Sequence, residues 1–257
     1  MERNLKLTIA YDGSAFHGWQ RQQGVRTVQE EVETVARRVL RHPLQVVGAS
    51  RTDAGVHARG QTAHIHTTCP IPAENLRRAI GQRLPADIGL VHVADVPLGF
   101  HATRDARRKL YRYRIHNDRR RPVEGGRAGY AWHIWVPLDA GRMQAAANVL
   151  VGRHDFAGLA SAGSPRWSTV RTVFAVHVCR RFDTIVIDVV GDGFLYNQVR
   201  NMVGTLVEIG RGHWPVERIE RILASRDRRD AGPTAPACGL TLEWIEYPPL
   251  RSYADGT

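Results

Sequence analysis

The chain has 257 residues, 43% of them hydrophobic, enough for a sizeable core in one large domain or two smaller ones. Lys plus Arg outnumber Asp plus Glu by 36 to 25, a formal charge of +11 that makes a polyanion the first partner to consider. Three scattered cysteines, Cys69, Cys179 and Cys238, exclude a disulfide framework, and no apolar run reaches membrane-spanning length, so a soluble cytoplasmic protein is expected.

In chain order, "NLKLTIAY" alternates Leu5, Leu7 and Ile9 with polar residues and reads as a strand ending at Asp12-Gly13. "TVQEEVETVARRVL" sets Thr27 and Glu30 at capping-box spacing before Val28, Val32, Val35 and Val39, which predicts a helix. "LQVVGAS" and "QTAHIHTT" predict strands on either side of a glycine-framed turn, "PAENLRRAIGQRL" a helix and "IGLVHVADV" a fourth strand. The order is β-α-β-β-α-β, ferredoxin-like in outline.

The second half repeats the theme. "KLYRYRIHN" and "GYAWHIWV" read as strands, "DAGRMQAAANVLVG" as a helix, and "VRTVFAVHVCRRF" with "TIVIDVVGDGF" as an antiparallel pair. "LYNQVRNMVGTLVEIG" and "VERIERILAS" then predict helices and "LTLEWIEY" a closing strand. The expected fold is α+β, two ferredoxin-like units with antiparallel sheets flanking a basic central cleft, divided as 1–104 and 105–257. Mobility is expected in the linking segments "RQQGVR", "DRRRPVEGGRAG" and "RDRRDAGPTAPACG".

Asp53, in "GASRTDAGVHARGQ", stands in the turn between two predicted strands. An aspartate there can simply satisfy backbone N–H groups beside Gly55, or it can present a carboxylate at a strand end. Arg51, two residues earlier, would favour the charged carboxylate and keep it available as nucleophile or base. His57, His64 and His66 invite a metal reading, but no acid at useful spacing completes a ligand set. Thr62, His64, His66 and Thr68 read better as the polar face of a half-exposed strand, and no metal is expected.

From His101 to Arg121 nine Lys or Arg stand against two Asp. Tyr111 and Tyr113 lie inside this run at i and i+2, so they share a face. They are either core packing or an aromatic platform for an unpaired base with phosphate-binding charges around it. Arg200 shares the polar side of its predicted helix with Asn197 and Asn201 while Met202, Val203 and Leu206 face a core, and it could serve a phosphate or a carboxylate. No phosphate loop, dinucleotide fingerprint or serine-hydrolase elbow is present, which counts against nucleotide-driven, hydride-transfer and serine-hydrolase chemistry.

"ASRTDAGVHARGQ" closely resembles the catalytic signature of the TruA family of tRNA pseudouridine synthases. "YDGSAFHGWQRQ", "FHATRDARRKLYRYRI", "GFLYNQVRNMVG" and "APACGLTLEWIEY" match further blocks of that family in the same order, so the resemblance spans nearly the whole chain. Ser50 departs from it, standing where the family usually has glycine. The resemblance implies isomerisation of uridine to pseudouridine in the anticodon stem-loop of tRNA, with no cofactor and no metal, by a homodimer. It makes Asp53 the nucleophile, attacking C1′ of the sugar or C6 of the uracil. Tyr111 would hold the base and assist proton removal at C5, with Arg51 and Arg200 close to Asp53. The competing readings are a structured-RNA-binding protein without catalysis and a metal-dependent phosphoesterase built on His64 and His66.

Overall fold

The alternation of Leu5, Leu7 and Ile9 becomes strand β1, Arg3–Tyr11, with all three side chains fully buried, in a computed structural model that describes residues 1–122, 129–163 and 168–249. The chain divides into two compact units, Met1–Arg107 with Leu242–Thr257, and Arg108–Thr241.

In the first unit β1 is followed by α1 (Val28–Leu40), β2 (Val47–Gly48), β3 (His57–Thr67), α2 (Ala73–Gly81) and β4 (Ile88–Val96). The strands run β4-β1-β3 with β2 paired to β3, all antiparallel, which is the ferredoxin-like order. Helix α1 starts without the expected capping box. Thr27 is extended, its hydroxyl is buried without a hydrogen-bond partner, and Glu30 lies 3.5 Å from Arg21. The first helical N–H groups, from Val28 and Gln29, donate instead to the carbonyls of Gly18 and Trp19, so a neighbouring loop does the capping. The predicted "LQVVGAS" strand keeps only two residues, whereas β3 begins four residues earlier than expected because it continues to pair with β1 as far as Ala58 opposite Tyr11.

The second unit contains β5 (Arg108–His116), β6 (Trp132–His133), α3 (Ala140–Val149), β7 (Gly152–Asp155), β8 (Val170–Arg181), β9 (Thr184–Gly191), α4 (Gln198–Gly210) and α5 (Arg218–Ser225). A last strand, β10 (Leu240–Glu246), carries the division between the units within it. The strand order is β5-β9-β8-β7, antiparallel throughout, and the two-residue β6 runs parallel to β5. Thus β5-α3-β8-β9-α4 repeats the topology of the first unit.

Two of the segments expected to be mobile are tied down. Arg26, in "RQQGVR", forms a bidentate pair with Asp87 at 2.6 and 3.0 Å and also bonds to Glu31. In "RDRRDAGPTAPACG" the main chain packs directly on α4, so closely that a Cβ on Gly204 would stand 1.7 Å from the Pro233 carbonyl oxygen. Gly232 donates its N–H to the Thr205 hydroxyl at 3.0 Å on the same helix. Of the third segment, "DRRRPVEGGRAG", residues 123–128 lie outside the described ones.

Candidate active site

The turn between β2 and β3 is assembled from several segments of the first unit. Ala49 N–H still bonds to Thr62 O at 2.8 Å; the chain then leaves the ladder and rejoins it at His57. Within the loop Gly55 takes φ +77°, and Val56 N–H closes onto Asp53 O at 3.1 Å. From outside, Trp19 N–H donates to Thr52 O at 3.1 Å and Gly55 N–H donates to Phe16 O at 3.2 Å. The Tyr11 and Thr52 hydroxyls meet at 2.7 Å, and Gln61 Nε2 donates to Ser50 O at 2.5 Å.

Two glycines permit this close approach. A Cβ on Gly13 would lie 2.1 Å from Val56 O, and one on Gly18, whose φ is +94°, would lie 2.5 Å from Thr52 O. The main chain is therefore held on both sides of residue 53. Thr52 and Val56 are buried, Asp53 is half-buried and Arg51 is exposed on the same loop. Ser50 supplies its carbonyl to this frame.

The histidines next to the loop are structural. His57 is buried, and its Nδ1 accepts the N–H of Gly13 at 3.0 Å, tying β3 to the turn after β1. Of the polar face expected on β3, His66 and Thr68 are exposed, but Thr62 and His64 are each only 4% exposed. His64 Nδ1 accepts the N–H of Ala102 at 3.2 Å, and burial, with smaller contributions from the nearby His101, His66 and Arg104, pushes its pKa down to about 4. Among the described residues no three His, Cys, Asp or Glu side chains converge as a metal site.

In the second unit Tyr111 and Tyr113 share a face of β5 but not a role. Tyr113 is fully buried, donates its hydroxyl to Pro236 O at 2.8 Å, and fills the space left by Gly239, where a Cβ would stand 2.5 Å from the ring. Burial raises its phenol pKa far above the ordinary value, so it stays neutral. It is a core residue and half of the supposed platform is removed. Tyr111, 6% exposed and paired in register with Val189, stands edge-on to Phe194 with ring centroids 5.4 Å apart. Of the flanking arginines, Arg112 is held in a bidentate pair with Asp188 at 2.7 and 2.6 Å, and Arg108 lies 4.8 Å above the Phe174 ring.

Arg200 stands in the first turn of α4. Its Nε donates to Ala235 O at 2.7 Å and its Nη1 to Asn197 Oδ1 at 2.9 Å, while Ala235 N–H returns a bond to Arg200 O at 3.2 Å. Asn197 has the left-handed conformation, φ +58°, and its Nδ2 reaches Ser161 Oγ at 3.2 Å. The expected polar side of the helix is not solvent-facing. Asn201 is fully buried, donates to Leu159 O at 2.9 Å, and accepts from Thr234 Oγ1 at 2.7 Å and from Arg228 at 3.0 Å. Arg51 and Asp53 thus share one loop of the first unit, whereas Tyr111 and Arg200 belong to the second. Periodicity did not point to Trp19 or Gln61 and set Asn197 and Asn201 only on the polar side of their helix; what marked all four was their place in the resembling blocks.

Comparison with known proteins gives a consistent result. Residues 7–104 and 146–248 match a family model described as tRNA pseudouridine synthase. The chain is 48% identical over 245 residues to tRNA pseudouridine synthase A of Moorella thermoacetica, covering 95% of this chain and 99% of the relative. It is 44% identical over 246 residues to the protein of that name from Syntrophotalea carbinolica, covering 95% and 96%. With the Thermoanaerobacter sp. protein of the same name the identity is 42% over 245 residues, covering 95% and 100%. No helix among the described residues is long and apolar enough to cross a membrane.

Proposed function

Since the chain belongs to the tRNA pseudouridine synthase family, we propose that it isomerises uridine to pseudouridine in the anticodon stem-loop of tRNA, with Asp53 as the nucleophile. The observation that carries this reading is the frame around residue 53. Main-chain bonds from Trp19 and to Phe16, with two glycines at close approach, immobilise a loop whose aspartate is only half-buried. A carboxylate held on a rigid backbone keeps its attack geometry without reorganising, which is what nucleophilic catalysis asks of it.

The target nucleotide first leaves its stack, at a cost of a few kcal/mol offset by contacts in the pocket. The Asp53 carboxylate then bonds to C1′ or to C6. By either route the N1–C1′ bond breaks, the retained uracil turns, a C5–C1′ bond forms and the carboxylate is released. The proton lost from C5 is matched by one gained at N1, so no cofactor is consumed. Tyr111, fixed edge-on to Phe194, is assigned to hold the base and assist removal of the C5 proton. Arg51 and Arg200 are assigned to keep Asp53 anionic and to occupy the space vacated by the base. The bonds from Arg200 to Ala235 and Asn197 preset its guanidinium for such a task.

The arginines of "RDARRK" and "NDRRRP" supply phosphate contacts that recognise tRNA by shape, and binding should weaken steeply as salt rises. We place the enzyme in the cytoplasm as a homodimer. Replacing Asp53 with Asn tests the assignment against RNA binding without catalysis. Affinity for tRNA is expected to stay within a few-fold of the wild type while pseudouridine, read by chemical mapping of the product tRNA, disappears. Turnover by the Asn variant would refute the nucleophile.

A further inference from the structure

The hairpin joining β8 to β9 ends in a feature that folding does not explain. Arg181 and Thr184 are register partners, so the turn has two central residues, Phe182 and Asp183. Phe182 has φ +53° and Asp183 does not have a positive φ. A two-residue hairpin turn with positive φ only at its first central position favours glycine there. Phenylalanine instead occupies it, and its side chain is 96% exposed, so neither backbone preference nor packing accounts for the ring.

The surroundings are basic and firmly built. Asn117 N–H donates to Asp183 O at 2.6 Å, which lays the segment after β5 against the hairpin end. Arg180 Nη2 bonds to Asn117 Oδ1 at 2.5 Å and to Leu138 O at 2.9 Å, and its Nη1 reaches Phe182 O at 3.4 Å. The turn that follows is braced by Arg120 N–H donating to Asp118 Oδ1 at 2.7 Å and by His116 Nε2 beside Arg120 O at 3.2 Å. Arg119, Arg120, Arg121, Arg180 and Arg181 are all exposed here. The two nearby acids are engaged locally, Asp118 with the Arg120 backbone and Asp183 with the Thr184 hydroxyl at 3.0 Å.

We propose that this hairpin tip is a second tRNA contact, in which the Phe182 ring stacks on an unpaired base while the surrounding arginines engage the flanking phosphates. Base-on-aromatic stacking with arginines along the backbone is a general way to hold single-stranded nucleotides. The inference rests on tRNA being the substrate, as proposed above. The contact is separate from the pocket assigned to the reacting base. Thr184, at the end of the turn, is five residues along β9 from Val189, the partner of Tyr111, which at roughly 3.3 Å per residue is about 17 Å. A strained turn is retained, on this reading, because the ring is needed for binding.

The test is Phe182→Gly, with Arg181→Gln beside it, in the full-length protein. Glycine relieves the turn, so the Gly variant should melt about 2–4 °C higher than the wild type. Its affinity for full-length tRNA, measured directly by filter binding, should fall about five-fold or more, and KM should rise with it while kcat at saturation is unchanged. Arg181→Gln should lower the salt dependence of binding by about one unit of logarithmic slope. A Gly variant that melts higher but binds tRNA like the wild type overturns the proposal. So does one whose sedimentation shows altered self-association with unchanged tRNA affinity, since the ring would then serve a protein contact. If the wild type binds tRNA but makes no pseudouridine, the functional reading fails and the binding comparison still decides this one.

Discussion

Gly18→Ala should damage catalysis out of proportion to the size of a methyl group. Gly18 has φ +94°, where an L side chain costs about 1–2 kcal/mol, and its Cβ would stand 2.5 Å from Thr52 O, 3.2 Å from Asp53 C and 3.3 Å from Ala54 N. All three atoms are main chain, so no side chain can rotate away. Ordinary contact requires the 52–54 backbone to retreat by on the order of 1 Å, which also stretches the Trp19 N–H to Thr52 O bond, worth about 1 kcal/mol. The total destabilisation is about 2–3 kcal/mol, a fall in Tm of roughly 4–12 °C for a chain of this size. A displacement of that order at the nucleophile costs up to about 100-fold in rate.

Gly24→Ala is the matched control. Its φ is +77° but, among the described residues, nothing beyond its chain neighbours lies within 4 Å of the new Cβ, so it carries the backbone strain without the clash. Single-turnover pseudouridine formation and thermal melts of both variants separate the two effects. Gly24→Ala is expected to lose about 1 kcal/mol and no activity. Equal catalytic loss in both, or full activity in Gly18→Ala, would refute the claim that close packing under the loop positions Asp53.

The two tyrosines of β5 should behave oppositely. Tyr111→Phe keeps the edge-on packing with Phe194 and removes only the hydroxyl, so turnover should fall by two orders of magnitude or more, in the range of a lost proton-transfer group. Tyr113→Phe forfeits the bond to Pro236 O and should cost about 1 kcal/mol in urea denaturation with turnover nearly intact. Stability should also depend on pH through His64. Its folded pKa of about 4 lies below the unfolded value near 6.5, so between these limits the unfolded chain binds more protons and stability falls as pH drops. The loss approaches about 3 kcal/mol near pH 4, and His64→Asn should flatten that slope relative to the wild type; an equal slope in both proteins assigns the effect elsewhere.

Local alternation and helical spacing determined much of the fold from the sequence alone. β1, β4 and β8 appear almost to the residue where Leu5-Leu7-Ile9 and similar runs place them, and β9 starts where expected but ends three residues early, at Gly191; side-chain period is a property of the segment itself. The β-α-β-β-α-β order of the first unit followed from the succession of those runs, and the Asp53 turn was marked by its glycine and by the resemblance around it. What depended on partners distant in sequence was decided only in the tertiary structure. β7, "GRHD", has no apolar alternation and exists by pairing with β8; β2 and β6 shrink to two residues each. Thr27 gives up its capping role because Gly18 and Trp19 arrive to satisfy the helix N-terminus. The sequence left Tyr113 between core packing and an aromatic platform and set Asn201 on a polar helix side; both are buried because residues 234–239 fold over β5 and α4 with hydrogen-bonding groups at the right places. A single-chain pattern records what each residue prefers; which preferences are overruled depends on backbone groups tens of residues away that also have to be paired.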